Sequence, residues 1–254
     1  MKRDFTVRQY EQLLDHLIKA RFSFQRFDEY LRSPLDRVVM LRHDVDARNQ
    51  NSLRFAQIQH ALGIRGTYYF RMVKGSFDRR IIEEMLRLGH EIGYHYEDMD
   101  FANGHPERAV ALFEKHLAQL REVAPIQTLC MHGSPRSAYD NKDIWKHIRY
   151  QDYALIGEPY YDLNFNEVFY LTDTGRRWDG LKYSVRDKVS HDGEWPTFHS
   201  THDICEATKR DQFPSKIMFN FHPQRWDDGL IPWAKEFVLQ SAKNQIKKVL
   251  FVKR

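Results

Sequence analysis

Apolar and polar positions along the chain switch repeatedly between two periods. Thr6 with Gln9 three residues on makes a capping-box arrangement, and Val7, Tyr10, Leu14, Leu17 and Ile18 then recur at helical spacing. Residues 37–41 are a short β-prone run ending in Arg42-His43-Asp44-Val45-Asp46. A helical stretch with Leu53, Ala56, Ala61 and Leu62 follows, and Gly63 is placed to end it. Residues 66–70 read as a strand, 79–88 as a helix and 90–95 as a strand. Pro106 opens a helix whose Val110, Phe113, Leu117 and Leu120 share one face. Residues 126–131 and 216–221 are buried strands, 167–171 a strand-like piece within the irregular span 153–192, and 233–251 begins as a final helix. This alternation predicts an α/β fold of mostly parallel strands, and 254 residues suit a distorted or incomplete (β/α) barrel. No repeat or Pro-rich linker divides the chain, so 1–254 reads as a single domain with 1–36 as an N-terminal helical extension.

Composition narrows the class. Hydrophobic residues at 42% and charged residues at 29% describe a globular chain. The longest aliphatic or Met run, residues 38–41, is far too short to cross a bilayer, so no membrane span is expected. The N-terminus runs into an amphipathic pattern without an apolar signal core, which makes the cytoplasm the expected compartment. Cys130 and Cys205 are too few and too far apart for a disulfide framework. The net charge of +4 comes from scattered Lys and Arg, and no zinc-finger or basic-aromatic repeat points to nucleic acid. The unusual count is 13 histidines.

Four of those histidines fall at strand ends, where parallel α/β folds gather their ligands. The ends read His43-Asp44-Val45-Asp46, Tyr94-His95-Tyr96-Glu97-Asp98, Met131-His132-Gly133-Ser134-Pro135 and Phe221-His222-Pro223. Residues two apart in a strand share a face, so Asp44 and Asp46 point together and His43 points away. His132 shares its face with Thr128 and Cys130, and His222 with Met218 and Asn220. Of His90 and His95, which differ in parity, His95 lies at the C-terminal end. A lone strand-end His more often makes a hydrogen bond than ligates a metal, and a lone Asp46 would serve as a helix cap. The joint pattern instead suits a divalent ion, zinc first, held by imidazoles and a carboxylate, with a second carboxylate free for proton transfer.

At this point the residues resemble the polysaccharide deacetylase family, the NodB-homology domain of carbohydrate esterase family four. Arg42-His43-Asp44-Val45-Asp46 and Gly89-His90-Glu91-Ile92-Gly93-Tyr94-His95 carry the resemblance, which spans residues 38–223. It implies a distorted (β/α) barrel and metal-dependent removal of an N-acetyl or similar acyl group from a sugar. It also implies Asp44 as general base, Asp46 and His95 as metal ligands, and His222 as the acid that protonates the leaving amine. The family more often has its two aspartates adjacent. Its second motif supplies a further ligand four residues after the first, where this chain has Met99; His132 and Glu97 stand level as replacements. An Asp-plus-aromatic motif falls on Asp173 and Trp178. Tyr96, Trp178 and Trp226 offer flat faces to a sugar ring.

The resulting expectation is a cytoplasmic carbohydrate deacetylase acting on an N-acylated sugar or glycan intermediate of surface polysaccharide, such as lipopolysaccharide O-antigen. Two rivals stand beside it. One is a glycan-binding relative that has lost its metal, which Met99 favours. The other is a metal-dependent amidohydrolase of a non-sugar amide.

Overall fold

Period-two alternation in the strands sorts the molecule into two cores. The computed structural model describes residues 3–250 except 135–136 and 180–188. Its strands are β1 (Ser23–Gln25), β2 (Val38–Val45), β3 (Thr67–Phe70), β4 (Glu91–Tyr96), β5 (Leu129–Met131), β6 (Phe169–Thr172) and β7 (Lys216–Phe221). On β2, Val38 and Met40 enter an inner cluster with Tyr69, Cys130, Tyr170 and Met218. Val39, Leu41 and Val45 join an outer cluster under the helices, with Tyr68, Phe70, Ile92, Tyr94, Phe219 and Phe221. Toward the C-terminal ends the inner face turns polar, with Arg42 and Asp44 on β2 and Asn220 on β7. Those side chains are buried, so the site is built on the upper layer of the inner core.

The seven strands of the described residues form one sheet with every pairing parallel; six run in the order β5-β4-β3-β2-β7-β6, and β1 pairs with β2 off that path. Among the described residues β5 and β6 do not pair, so the fold is an α/β incomplete barrel, a curled sheet flanked by helices. The helices are α1 (Val7–Lys19), α2 (Phe27–Arg32), α3 (Asn49–Ala61), α4 (Arg79–Arg87), α5 (Asp98–Phe101), α6 (Pro106–Arg121), α7 (Pro159–Asp162), α8 (Thr201–Lys209) and α9 (Leu230–Leu250). Among the described residues no helix is long and apolar enough to cross a membrane.

Most of the first 36 residues pack against the body of the fold. Tyr10, Leu13, Leu14 and Leu17 of α1 are fully buried in the outer core. β1 pairs with the first half of β2, through Gln25 opposite Met40, and β3 takes over the same edge from Arg42 opposite Thr67. The chain leaves β1 into α2 at Phe27, whose N–H donates to Oγ1 of Thr67. Three residues carry no readable alternation, which is why β1 is invisible in the sequence pattern. Elsewhere the end signals hold. Thr6 Oγ1 accepts from the Gln9 N–H at 3.2 Å, Pro106 opens α6, and Gly63 adopts φ +70° just past α3. Of the irregular span 153–192, residues 180–188 lie outside the described residues, as do Pro135 of the fourth strand end and Phe251 of the last helix.

Candidate active site at the barrel mouth

Asp44 ends the polar layer of β2 and is held by its own strand. Arg42, two residues earlier and on the same face, donates Nε to Oδ1 at 2.9 Å and Nη2 to Oδ2 at 2.8 Å. Asn220 Nδ2 also donates to Oδ2, at 3.1 Å. Burial pushes the Asp44 carboxyl up, but the Arg42 guanidinium, with His95 and His222 beyond it, outweighs burial and holds it below its ordinary range. His43 takes the opposite face, as parity requires. Its ring stacks on Tyr68 at 4.1 Å between centroids, and its Nδ1 donates to the Thr67 carbonyl at 3.0 Å. His90 is likewise structural, between the Gly66 N–H and the Ala56 carbonyl.

Asp46 lies just past the strand and meets two imidazoles. Its Oδ2 accepts from Gln224 Nε2 at 3.1 Å, whereas its buried Oδ1 has no hydrogen-bond partner. Facing that oxygen are Nδ1 of His132 at 3.2 Å and Nε2 of His95 at 3.6 Å. His95 spends its Nδ1 proton on the Cys130 carbonyl at 2.9 Å, so Nε2 presents its lone pair to the mouth. The two imidazole nitrogens are 3.2 Å apart. Asp46, His95 and His132 thus offer one carboxylate oxygen and two ring nitrogens within 4.8 Å of one another. An orphaned buried oxygen among nitrogen donors fits a divalent cation such as zinc. Asp44, His95 and Cys130 form a second such group, but there the Arg42 guanidinium already neutralises the carboxylate and opposes a cation.

His222 stands on the other side of the mouth. Its Nδ1 donates to Asp173 Oδ1 at 2.6 Å, and its backbone N–H donates to Asp173 Oδ2 at 2.9 Å. Trp226 Nε1 at 2.6 Å and Arg225 Nη1 at 3.3 Å complete the shell around Asp173. Burial raises the Asp173 carboxyl, and the His222 and Arg225 charges more than reverse that. Nε2 of His222 points into the mouth, 4.0 Å from Oδ2 of both Asp44 and Asp46.

Glu97 has the parity to reach the site but is engaged elsewhere. Arg71, directly after β3, donates Nε and Nη2 to its two oxygens at 2.7 and 2.6 Å. His132 turns Nε2 toward Glu97 Oε2 at 3.8 Å. The geometry therefore separates the two candidates that the sequence left level: His132 faces Asp46, and Glu97 stands behind His132. Met99 is buried in the outer core.

The three aromatics expected at the substrate are elsewhere. Tyr96 has the outward parity of β4 and is fully buried, its hydroxyl accepting from Trp145 Nε1 at 2.7 Å. Trp178 packs among Phe5, Phe219, Phe221 and Trp226 and donates to Thr201 Oγ1 at 2.9 Å. Trp226 is fully buried and positions Asp173. None offers a ring face to solvent, because each fills core volume. Arg71 and Gln224 escape motif reading, whereas Arg42 lies within the first motif and Asn220 on the face of His222, with no role assigned to either from sequence.

No family model and no curated protein matches the chain. Solved structures that match include members of carbohydrate esterase family 4. A pseudoenzyme of that family from Bacillus anthracis aligns at 11% identity with a TM-score of 0.45, over 84% of this chain and 62% of that one. The chain thus spans about three-fifths of that relative's length. A family 4 carbohydrate esterase from Bacillus anthracis aligns at 12% identity and TM-score 0.44, over 91% and 85% of the two chains. PdaA of Bacillus subtilis, also a family 4 carbohydrate esterase, gives 12% and 0.44 over 96% and 90%. At such identities the likeness says nothing of individual side chains.

Proposed function

We propose that this chain is a metal-dependent hydrolase that removes an N-acetyl or similar acyl group from a sugar. An intermediate of surface-polysaccharide synthesis in the cytoplasm is the proposed substrate. The carrying observation is the unpartnered Oδ1 of Asp46 facing His95 and His132, beside the separately anchored pair Asp44 and His222. Asp46, His95 and His132 would hold the ion, zinc before other divalent ions, which when bound supplies Lewis-acid polarisation of the amide carbonyl and a more acidic water. Asp44 takes the proton of the attacking water. Arg42 and Asn220 keep its carboxylate in one orientation for that task. His222, oriented through Nδ1 by Asp173, gives the Nε2 proton to the departing amine. The burial of Tyr96, Trp178 and Trp226 withdraws ring stacking as support for a sugar, which makes a non-sugar amide the second reading.

The test is metal content by elemental analysis, paired with release of acetate from N-acetylated sugars and of other acids from non-sugar amides. Near one ion per chain, lost in both Asp46→Ala and His95→Ala, is the expected result. No ion retained after loading with zinc, cobalt or manganese would sink the reading. Turnover of non-sugar amides alone would select the second one.

A further inference from the structure

We propose that Arg71 decides which side chain completes the metal-binding set, by sequestering Glu97 so that His132 ligates and Glu97 orients it. The inference rests on the ligand reading above and concerns a question it leaves open, why the acid nearest His132 is not itself the ligand.

Two side chains stand at the neighbouring strand ends, His132 against Asp46 and His95 and Glu97 behind His132. Glu97 continues the inward parity of Glu91, Gly93 and His95, so its carboxylate belongs to the same face as the site. A free carboxylate there, almost fully buried, would be a competent zinc ligand. It is not free. The planar guanidinium of Arg71 occupies both oxygens in a two-bond fork, a geometry that only Arg provides. Arg71 is anchored in turn. Its N–H donates to Ser76 Oγ at 2.9 Å, Ser76 Oγ donates to the Val45 carbonyl, and Arg71 Nη1 reaches the Asp46 carbonyl at 3.4 Å. One cation therefore ties together the strand end carrying Asp46 and the acid behind His132.

The consequence for His132 is a defined orientation. Its Nδ1 faces Asp46 and His95, while Nε2 faces Glu97 Oε2 at 3.8 Å. At 3.8 Å the Glu97 carboxylate is in ion-pair range of the non-ligating nitrogen, where it favours the tautomer that keeps the proton on Nε2 and leaves Nδ1 free for an ion. The Asn141 side chain holds the same residue from its backbone, Nδ2 donating to the His132 carbonyl at 2.9 Å. Arg71 and Glu97 are thus positioning residues, and Arg71 also excludes a rival ligand.

The experiment is titration of the metal-free protein with Co2+, read by its visible spectrum and by dissociation constant. The parent, His132→Ala, Arg71→Met, the double variant Arg71→Met/His132→Ala and Glu97→Gln are compared, with thermal unfolding as the folding control. The expected pattern is a roughly 10- to 100-fold weaker constant for Glu97→Gln, as loss of such a partner gives. His132→Ala is weaker still, and the double variant recovers at least tenfold over His132→Ala as Glu97 is released to ligate. A double variant no tighter than His132→Ala, with Glu97→Gln equal to the parent, overturns the inference while the ligand reading stands. A parent that binds no Co2+ overturns both. If Arg71→Met does not fold, Glu97→Gln decides alone: parent-like affinity rejects the positioning role.

Discussion

Nδ1 of His132 lies 3.2 Å from the unpartnered Oδ1 of Asp46, a contact between the ends of β5 and β2 that only folding creates. It divides the mouth into two halves. Asp46, His95 and His132 make the half suited to a cation, and Asp44 with His222 make the half suited to moving protons. Both halves grow from inward-facing positions of parallel strands, so the chemistry is set by register as much as by residue type.

Asp44→Asn separates the halves. Asp44 is in the proton half, so the variant is expected to keep its bound metal and to lose activity by roughly 10^2- to 10^4-fold. It also leaves the buried Arg42 guanidinium without its counter-charge, a change that typically destabilises by about 3–5 kcal/mol. Metal analysis, turnover and chemical denaturation of one preparation check all three. Full activity would remove Asp44 from the mechanism.

Asp173→Asn acts on His222 without touching the cation half. The amide can present its NH2 to Nδ1, which leaves a neutral ring with its proton on Nε2 and removes the carboxylate that stabilises the imidazolium, so the ring becomes a poor proton donor. The expected result is a fall in kcat of about a hundredfold or more with metal content unchanged, the general-acid contribution being of that order. A variant that loses metal and retains turnover per bound ion would contradict this division of roles.

The sequence made the inward face legible, and what it hid is equally specific. Asp44, Asp46, His95, His132 and His222 stand at strand ends, where parity alone brings them to one mouth. The strands β2, β3 and β7 each contain a short apolar run, residues 38–41, 68–70 and 217–219, so their existence follows from composition. β1 and the short α2, α5 and α7 are too brief to carry a period, and α8 lies after an irregular span. The aromatics misled because a large ring near a motif in sequence is usually recruited to fill a core, as Trp178 and Trp226 are. Nor does any one-dimensional pattern tell that Glu97 is captured by a residue from another strand.

His43, one residue before Asp44, predicts an acid-dependent loss of stability. Burial lowers its pKa from 6.5 to about 3, with the Thr67 carbonyl only partly opposing that shift. The folded chain keeps the ring neutral while the unfolded chain protonates below its ordinary value. The unfolded state thus binds the extra proton, and stability falls as pH drops from 6.5 toward about 3. The slope from this one group is at most ~1.4 kcal/mol per pH unit. Ring-nitrogen NMR is expected to show His43 uncharged throughout pH 8 to 5. A titration midpoint near 6.5 would refute the assignment.

Gly93 is required by the approach of another strand rather than by backbone conformation. A Cβ there would stand 2.3 Å from Cε1 and 2.4 Å from Cδ1 of Tyr69, and 3.0 Å from the Thr128 carbonyl oxygen. Tyr69 lies on β3, paired with Gly93 of β4, and its ring belongs to the inner core beneath the site. Gly93→Ala therefore drives a methyl into a ring that is closely packed on all sides, and overpacking of that kind costs about 1–3 kcal/mol. Since the ring supplies most of the clash, Tyr69→Leu should relieve it. In that background Gly93→Ala is expected to cost at least 1 kcal/mol less, a coupling of the size contacting residues show. Urea denaturation of the four proteins closes the cycle. Additive effects would mean that the ring can step aside and that some other contact holds this position to glycine.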